Sequence, residues 1–359
     1  MIQFRDIYRN KRVLVTGHTG FKGSWLTLWL HEMGATIAGL SLDPEDTLNH
    51  WDMLDLAIDD LRVDIRDFAA VQSKIESFRP EIVFHLAAQP LVHYSYQHPL
   101  DNWSTNIMGT ANILESCRKV DSVKAVIAIT TDKVYENKEW PWGYRENDRL
   151  GGHDPYSASK AACEILIDSY RKSFFMTKGA PLIASARAGN VIGGGDWSSD
   201  RLIPDIVKSV TKNEKVHIRS PQSTRPWQHV LECLLGYLLL GEKLLKGNDR
   251  FAEAWNFGPD TDDNCTVETI LNHMRTYWPE LDWLQEPNAQ PHETTLLYLD
   301  HAKARTYLDW HPVWHLEKAL QITAQWYRAA HEKNLALSRE QLSDYIKDGY
   351  LAGVTWIDS

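Results

Sequence analysis

Short apolar runs alternate with amphipathic stretches over about the first 190 residues of the chain. The first run, KRVLVTG, is rich in β-branched residues and ends at a glycine, which predicts a buried strand followed by a turn. The next stretch carries Trp25, Leu28 and Trp29 at helical spacing. The further predicted strands are TIAGLSL, DLRVDIRD, PEIVFHLAA, KAVIAITT and PLIASARAGNVIG, and the further predicted helices are DFAAVQSKIESF, residues 101–120 and residues 156–177. Strands that alternate with helices in this order predict an α/β fold with a doubly wound parallel sheet.

The alternation fades after Gly193. The rest of the chain combines short apolar runs, several prolines and amphipathic stretches such as 316–332. We therefore predict two domains: a Rossmann-type domain over residues 1–192, and a smaller, mixed α/β C-terminal lobe over residues 193–359. The second lobe is expected to bind substrate, to pack on the sheet and to be partly interleaved with the first domain.

Composition and charge narrow the classes of protein that this chain can be. Apolar residues make up 43% of it, enough for a large core, which excludes intrinsic disorder as the main state. The formal net charge of −10 argues against a broad nucleic-acid surface. The longest apolar run, Leu234 to Leu240, is far shorter than the roughly 20 residues that cross a bilayer, and the N-terminus has no apolar signal region. These features predict a cytoplasmic protein without a membrane segment.

Metal and disulfide sites are not indicated. The four cysteines show neither the spacing of zinc ligands nor that of a disulfide framework. His292 and Glu293 are adjacent, but no companion ligand follows at a suitable spacing. We interpret them as part of a loop in the second lobe, and we expect no metal.

A glycine turn near the N-terminus is the first candidate binding site. Gly17, Gly20 and Gly23 form GxxGxxG directly after the first predicted strand and at the start of the first predicted helix. Glycines there allow a tight turn and close approach of the backbone to a pyrophosphate, which the helix N-terminus attracts. A glycine triplet alone is a weak signal, but its strand–turn–helix setting predicts dinucleotide binding.

Two acidic residues bear on the choice of cofactor. Asp43 lies about 20 residues past Gly23, at the end of the second predicted strand, where a carboxylate can accept a hydrogen bond from a ribose 2′-hydroxyl. No Arg or Lys occurs between residues 34 and 61 to bind a 2′-phosphate, so NAD is favoured over NADP. Asp64, after the third strand, is interpreted either as the partner of the adenine amine or as a residue that caps a turn.

Two side chains in the glycine turn are unusual. His18 and Lys22 occupy variable positions of GHTGFKG, where small or apolar residues would pack more easily. A lysine beside a pyrophosphate attracts it, whereas the bulk of a histidine would crowd the ribose. We therefore expect these residues to alter the affinity for NAD, so that the purified protein loses its cofactor.

Tyr156 and Lys160 form the second candidate site, YxxxK within PYSASKAACE. Residues at i and i+4 share one face of a helix, so the Lys160 ammonium is expected to lie near the phenol and to lower its pKa from about 10. A phenolate can take the proton of a carbinol while hydride leaves for the cofactor. YxxxK is common by chance, but its position after a glycine turn and TTDK makes it specific.

The motifs GxxGxxG, HLAAQ, TTDKVY, YSASK and RAGNVIG together resemble the extended short-chain dehydrogenase/reductase family, over essentially the whole chain. Thr131, Asp132 and Lys133 fall where the nucleotide-sugar 4,6-dehydratases of that family carry Thr-Asp-Glu. Three segments, GHTGFKGSWL, TTDKVYEN and RAGNVIGGGDWSSDRLIPD, resemble the branch that acts on CDP-D-glucose. The resemblance implies C4 oxidation, loss of water across C5 and C6, and hydride return to C6, with NAD as a catalytic cofactor. It also implies a homodimer or tetramer that packs through helices around 101–118 and 156–174.

The same resemblance implies roles for individual residues. Tyr156 removes the O4 proton, Thr131 bonds O4, and Asp132 is the acid that protonates the departing C6 hydroxyl. Lys133 acts either as a neutral base at C5, or as a cation that stabilises an enolate while another group takes the proton. The implied cofactor-binding residues are Gly17, His18, Gly20, Phe21, Lys22, Gly23, Asp43, Asp64, Ile65, Leu86, Ala87, Ala88, Tyr156 and Lys160.

Substrate contacts are expected from both halves of the chain. Asn190 matches the family position whose amide contacts the phosphates of the sugar nucleotide, and Arg219 and Arg225 carry guanidinium groups that suit a pyrophosphate. An ordinary surface arginine is the alternative for both. Pro226 replaces the usual aspartate, so a different local backbone is expected there. The candidate substrate-binding residues are Gln89, Asn190, Arg201, Arg219 and Arg225. His85 is interpreted as a packing residue at a strand end rather than as a catalyst.

Three other functions compete with a dehydratase. A 4-epimerase on this fold would also use Tyr156, Lys160 and NAD, but it needs no acid to expel a C6 hydroxyl, so Asp132 and Lys133 argue against it. A non-catalytic NAD-sensing regulator would be expected to lose YxxxK. A plain alcohol dehydrogenase would have no use for so long a second lobe.

Overall fold

A central sheet of parallel strands organises the described part of the protein, which in this computed structural model covers residues 2–44, 48–177, 179–286 and 296–358. The strands are Ile2–Gln3 (β1), Arg12–Thr16 (β2), Thr36–Ser41 (β3), Asp59–Arg62 (β4), Ile82–His85 (β5), Ala125–Ile129 (β6), Leu182–Ala188 (β7), Asn190–Ile192 (β8), Val216–Ile218 (β9), Thr224–His229 (β10), Ala254–Phe257 (β11), Asn264–Thr266 (β12), Trp283–Gln285 (β13) and Ile357–Asp358 (β14). The α-helices are Phe21–Glu32 (α1), His50–Leu54 (α2), Phe68–Phe78 (α3), Val92–Gln97 (α4), Pro99–Trp103 (α5), Gly109–Arg118 (α6), Pro155–Phe174 (α7), Leu202–Lys212 (α8), Val230–Leu245 (α9), Val267–Tyr277 (α10), Leu316–Lys333 (α11) and Ser338–Leu351 (α12).

Helices cover both faces of the sheet. Its strand order is β11-β7-β6-β5-β2-β3-β4, with all pairs parallel. Val13 and Val15 pack into one core with α1 and α9, whereas Leu14 packs into a second core with α3, α6 and α7. Successive side chains of a strand point to opposite faces, which is why the strands read as continuous apolar runs. The predicted Rossmann-type fold is confirmed.

The strand order reverses at β2. From β2 the chain builds β3 and β4 on one side, and then returns to the other side of β2 for β5. Open parallel sheets leave a crevice at the carboxyl ends of the strands where the order reverses, and ligands bind there. The GxxGxxG turn that follows β2 therefore opens onto this crevice.

The predicted strand over PLIASARAGNVIG is broken at Gly189. Its first part, β7, belongs to the central sheet, whereas β8 pairs with β10 in a separate three-stranded sheet. A Cβ atom on Gly189 would lie 2.9 Å from Pro226 Cγ and 3.0 Å from Asp132 Oδ2. The chain can therefore change sheets here only because this residue has no side chain.

The predicted helix over 101–120 is also divided. It begins as α5 and ends as α6, and residues Ser104–Met108 between them form a wider π-helical turn. Asn106, on this turn, bonds both backbone groups of Gln89 (2.8 and 3.1 Å) and the hydroxyl of Ser159 (2.8 Å). The spacing of apolar residues does not distinguish such a turn from an α-helix. What sets the turn apart is its polar contacts with other elements.

Segments from the second half of the chain pack into the first. Strand β11 extends the central sheet beside β7, and α9 packs against β6 and β7. The division into domains at residue 192 stays a prediction, since the sheet contains strands from both sides of it. Across the described ranges, we find no helix with the length and apolarity needed to cross a membrane.

A buried ion pair braces the strands that lead to the crevice. Arg187 Nη2 lies 2.9 Å from Glu164 Oε2, and both side chains are only 3% exposed. Thr130 and Ser185 also donate to the Glu164 carboxylate, at 2.5 and 2.7 Å. Although burial favours the neutral acid, Arg187 and these hydrogen bonds hold the pKa of Glu164 below its usual value. Thr130 directly precedes Thr131, so this pair anchors one candidate catalytic segment.

We predict that Arg187→Met lowers the free energy of unfolding by about 3–5 kcal/mol, because it leaves a buried carboxylate without its cation. Equilibrium urea unfolding at neutral pH would measure the loss. The double variant Arg187→Met/Glu164→Leu removes both charges and should recover most of it. A single variant as stable as the parent protein would show that the pair does not brace these strands.

Candidate active site

The glycine turn after β2 has the close backbone contacts that a dinucleotide site needs. Gly17 has a positive φ of 73°, and a Cβ atom on it would lie 2.7 Å from the amide nitrogen of Ala87. A Cβ atom on Gly23 would lie 2.0 Å from the carbonyl oxygen of Gly17. Gly20 precedes the first residue of α1, so the helix N-terminus faces the turn. Because side chains are missing at these points, a pyrophosphate can approach the backbone, and the turn fits NAD.

The turn after β5 forms the other wall of the crevice. The Thr16 hydroxyl accepts hydrogen bonds from the amides of Leu86 and Ala87, both at 3.1 Å. His85 is buried between the hydroxyls of Thr16 (2.7 Å) and Thr110 (3.0 Å). Burial, with a smaller effect of the nearby Lys160, lowers the pKa of His85 to about 3. His85 is therefore a neutral packing residue beside the crevice.

The side chain of His18 is turned toward the interior of the protein. The ring is fully buried, stacks edge-on against Trp51 at 4.6 Å, and occupies the space that a Cβ atom on Gly39 would need. Its Nε2 atom contacts Asp60 Oδ1 at 2.9 Å. These contacts fix the ring, and the effect of His18 on the affinity for NAD stays a prediction. Lys22 meets the expectation better, since it is close enough to Lys160 to lower the pKa of that group.

Two carboxylates lie at the end of the crevice predicted for adenosine. The side chain of Asp43 is 86% exposed and lies 3.4 Å from Nε of Arg62. Asp64 follows β4, and its two oxygens accept several hydrogen bonds from Arg66 that lower its pKa. Sequence reasoning missed Arg62, because the residue lies just beyond the range searched for cations. The only signal for it is the parallel register that pairs Ser41 with Arg62.

The TTDK segment forms a short 3₁₀ turn directly after β6. Thr131 precedes this turn, and its hydroxyl donates to Asp132 Oδ1 at 2.9 Å and accepts from the Lys133 amide at 3.4 Å. Thr131 also lies close enough to the Tyr156 phenol to oppose the rise of its pKa. The Asp132 side chain is buried, whereas Lys133 is half-buried. One hydroxyl therefore joins the proposed acid to the proposed base.

The expectation that Lys160 lowers the pKa of Tyr156 is wrong for this arrangement. Burial raises the pKa of Tyr156 to about 12, and among the smaller effects Asp132 raises it further while Thr131 and Arg201 oppose the rise. Lys160 Nζ instead donates to the Ile129 carbonyl at 3.3 Å, and burial lowers its own pKa. The phenol is thus protonated in this state, and an added positive charge is needed to ionise it.

Arg201 brings a guanidinium from the second half of the chain close enough to Tyr156 to act on its pKa. It donates to Asp196 Oδ2 at 2.9 Å, where the carboxylate is only 5% exposed. The Tyr327 hydroxyl donates to the carbonyl of Asp196 at 2.5 Å and holds this turn. Arg201 is therefore a fixed cation, suited to an anionic substrate near Tyr156.

The other substrate candidates lie around the break at Gly189. Asn190 is the first residue of β8 and pairs with Trp227 on β10. The residue before it, Gly189, lies against Asp132. Arg225 is on β10 and donates to the Thr224 carbonyl at 3.0 Å. Arg219, which follows β9, contacts the ring of His93 on α4, a neighbour that the sequence did not indicate. Gln89 is held through its backbone at the turn after β5.

The candidate residues thus divide into groups along one edge of the sheet. Thr131, Asp132, Tyr156 and Arg201 interact directly or electrostatically, whereas Asp43 and Asp64 belong to the far side of the glycine turn. Ile65 is buried against the position of Gly109, and its side chain packs beneath α6. His292 and Glu293 lie outside the described residues. Within the described ranges, no three His, Cys, Asp or Glu side chains converge as metal ligands.

Comparisons with known proteins agree with this geometry. The chain is 48% identical over 353 residues to the CDP-glucose 4,6-dehydratase of Salmonella typhimurium, a match that covers 95% of this chain and 98% of the relative. It is 26% identical to the dTDP-glucose 4,6-dehydratase of Haemophilus influenzae, over 74% of this chain and 81% of that one.

Solved structures with the same fold were determined with NAD. One is the dTDP-glucose 4,6-dehydratase of Streptomyces venezuelae, with a TM-score of 0.77 at 21% identity, covering 89% of this chain and 98% of that one. Another is the UDP-glucose 4-epimerase of Thermus thermophilus, with a TM-score of 0.78 at 24% identity, covering 89% and 99%. The family model for GDP-mannose 4,6 dehydratase matches residues 14–249. The chain therefore belongs to the GDP-mannose 4,6-dehydratase family.

Proposed function

We propose that the protein is an NAD-dependent CDP-D-glucose 4,6-dehydratase, which converts its substrate to CDP-4-dehydro-6-deoxy-D-glucose and water. The observation that carries the proposal is the grouping of Thr131, Asp132 and Tyr156: Thr131 donates to Asp132, and both residues act on the pKa of Tyr156. Oxidation at C4 followed by elimination at C6 requires a base and an acid close together. Tyr156 and the buried Asp132 both lie beside the Thr131 hydroxyl and meet this requirement. The 48% identity to a CDP-glucose 4,6-dehydratase supports the choice of nucleotide.

The cofactor site fits NAD at the glycine turn and at Asp43. NAD, when bound, supplies the acceptor and later the donor of one hydride, so the reaction consumes no net oxidant. The side chains of Tyr156 and Lys160 then lie between the nucleotide crevice and the catalytic turn. Lys160 is anchored to the Ile129 carbonyl, which keeps its ammonium beneath the crevice floor.

Tyr156 acts first, as the base for the O4 proton. Its phenol lies beside Thr131, at the turn after β6. The pKa of Tyr156, about 12, must fall before the phenol can accept a proton at neutral pH. Arg201 is a cation of this chain that already opposes the rise of this pKa. Loss of the O4 proton and of hydride from C4 gives a ketone, which acidifies the proton at C5.

Asp132 acts second, as the acid for the departing C6 hydroxyl. It is buried beside the missing side chain of Gly189, with Oδ1 fixed by Thr131, so Oδ2 faces the space next to Asn190. A proton from Asp132 converts the C6 hydroxyl to water as the C5 proton leaves. Hydride return to C6 then completes the 6-deoxy sugar.

Lys133 acts at C5, on the same turn as Asp132. The geometry is compatible with both roles considered from the sequence: a neutral amine that takes the C5 proton, or an ammonium that stabilises the enolate. Either role distinguishes the chain from a 4-epimerase, which performs no chemistry at C5 and C6.

Assembly and cellular role extend the proposal. Exposed apolar side chains lie on α5, α7 and the turn between α5 and α6: Leu100 (83%), Met108 (55%), Ile165 (61%) and Phe174 (44%). A second copy of the chain would cover such a surface, which supports a homodimer or tetramer. The product is a branch point for 3,6-dideoxyhexoses of bacterial surface polysaccharides such as O-antigen, made in the cytoplasm.

The proposed activity predicts one product. Incubation of the protein and NAD⁺ with CDP-D-glucose should yield a 4-keto sugar with a C6 methyl group by proton NMR, and no net reduced cofactor. With dTDP-D-glucose, kcat/KM should be lower by at least about tenfold, since a site that bonds one base rejects another. A 4-epimer would instead indicate an epimerase, net reduction of NAD⁺ a simple dehydrogenase, and no turnover of any nucleotide sugar a regulator.

Asp132→Asn should separate the oxidation step from the elimination step. The amide keeps the shape of the side chain but cannot donate the carboxylic proton, so C4 oxidation proceeds while loss of the C6 hydroxyl slows by about 10²–10⁴-fold. Stopped-flow absorbance of reduced nicotinamide should therefore show a burst that persists with CDP-D-glucose. Absence of the burst, or an unchanged turnover rate, would remove Asp132 from the acid role.

Two neighbouring variants serve as controls in the same experiment. Tyr156→Phe should give no burst, because oxidation itself needs the base. Lys133→Met should give the burst, but with slower exchange of the C5 proton with deuterated solvent. Fast exchange in Lys133→Met would assign the C5 proton to another group.

A further inference from the structure

Arg62 lies at the ribose end of the cofactor crevice. Strands β3 and β4 are parallel, and their register pairs Ser41 with Arg62, the last residues of both strands. The carboxylate of Asp43, two residues past Ser41, is thereby brought to 3.4 Å from Arg62 Nε. The carboxylate predicted for the 2′-hydroxyl thus has a guanidinium beside it.

The guanidinium is held in place by two other groups. Arg62 Nη1 donates to the Leu42 carbonyl at 2.9 Å, and Nη2 donates to Asp60 Oδ2 at 2.6 Å. The other oxygen of Asp60 contacts Nε2 of His18, whose ring is buried beneath the glycine turn. A continuous chain of contacts therefore runs from the glycine turn through Asp60 to Arg62.

The contact between Arg62 and Asp43 is easily exchanged. The Asp43 side chain is 86% exposed, and ion pairs with such exposed partners contribute little. The Arg62 side chain is 32% exposed, so solvent or a ligand can reach it. A guanidinium has five N–H donors in a planar fork, which suits a phosphate. An anion at the position of Asp43 can therefore replace this carboxylate as the partner of Arg62.

We propose that Arg62 is a cofactor-specificity residue, which supplies a cation for a 2′-phosphate and lets this chain bind NADP⁺ as well as NAD⁺. With NAD⁺, Asp43 accepts from the 2′-hydroxyl while Arg62 stays on Asp60. With NADP⁺, Asp43 turns to solvent and Arg62 bonds the 2′-phosphate. The inference rests on the proposed function only in requiring that the crevice binds a dinucleotide.

The test measures binding, without turnover. Dissociation constants of NAD⁺ and NADP⁺ are determined by isothermal titration calorimetry for the full chain freed of bound nucleotide. We expect the parent protein to bind both, with constants within about tenfold of each other. Arg62→Gln should weaken NADP⁺ about tenfold or more, the size of one charge-assisted contact, and change NAD⁺ less than about threefold. Asp43→Asn should tighten NADP⁺ and weaken NAD⁺, because it removes both the repulsion and the acceptor.

Arg12→Gln is the matched control. Arg12 is the first residue of β2, so it lies at the amino end of that strand, away from the crevice. It is 43% exposed and also pairs with a carboxylate, that of Glu81. Its substitution should leave both constants unchanged. Raising the salt concentration should weaken NADP⁺ more than NAD⁺ in the parent protein, and this difference should shrink in Arg62→Gln.

The outcomes separate this inference from the proposed function. Binding of NAD⁺ with no measurable NADP⁺, or an unchanged ratio of the two constants in Arg62→Gln, would overturn the role of Arg62 and leave the dehydratase proposal intact. Binding of neither dinucleotide by the parent protein would overturn both.

Discussion

Seven parallel strands bring the turns after them to the same edge of the sheet, and the candidate site depends on this constraint. The glycine turn after β2, the 3₁₀ turn after β6 and the break after β7 are far apart in the chain, but all leave the carboxyl ends of strands in the same parallel sheet. Hydride transfer needs a cofactor and a sugar side by side. The parallel sheet meets that need by bringing the carboxyl ends of its strands together.

Close packing then sets the finer geometry. Gly17 must approach Ala87, Gly23 must approach Gly17, and Gly189 must approach Asp132, each at a distance that leaves no room for a side chain. The first two contacts open the backbone to a pyrophosphate. The third places an acid beside the strand that carries Asn190. The absence of a Cβ atom at these three residues therefore shapes both the glycine turn and the surroundings of Asp132.

Burial shifts the pKa values of two central groups of the candidate site. The Tyr156 phenol has a raised pKa, while that of Lys160 is lowered, since both are removed from water. Arg201 is fixed by Asp196 and contributes positive charge from the second half of the chain. A low-dielectric site strengthens each of these interactions.

Local sequence patterns predicted much of this structure. They did not predict the contacts that depend on strand register. The strands, the glycine turn and YxxxK follow from periodicity and short motifs, because neighbouring residues determine them. The family resemblance that supplied roles for Thr131 and Asp132 is confirmed at the level of the family. The break at Gly189, the position of Arg62 beside Asp43 and the burial of the His18 ring depend on contacts between distant segments. No window of sequence contains such contacts, so spacing alone could not predict them.

The path of one hydride tests the central claim most directly. CDP-D-glucose deuterated at C4 is mixed with undeuterated substrate that carries ¹³C in the sugar, and the product is analysed by mass spectrometry and NMR. If one active site oxidises C4, eliminates water and reduces C6, deuterium appears at C6 only in product without ¹³C. Deuterium retained at C4, lost to solvent, or found in the ¹³C product would contradict the account.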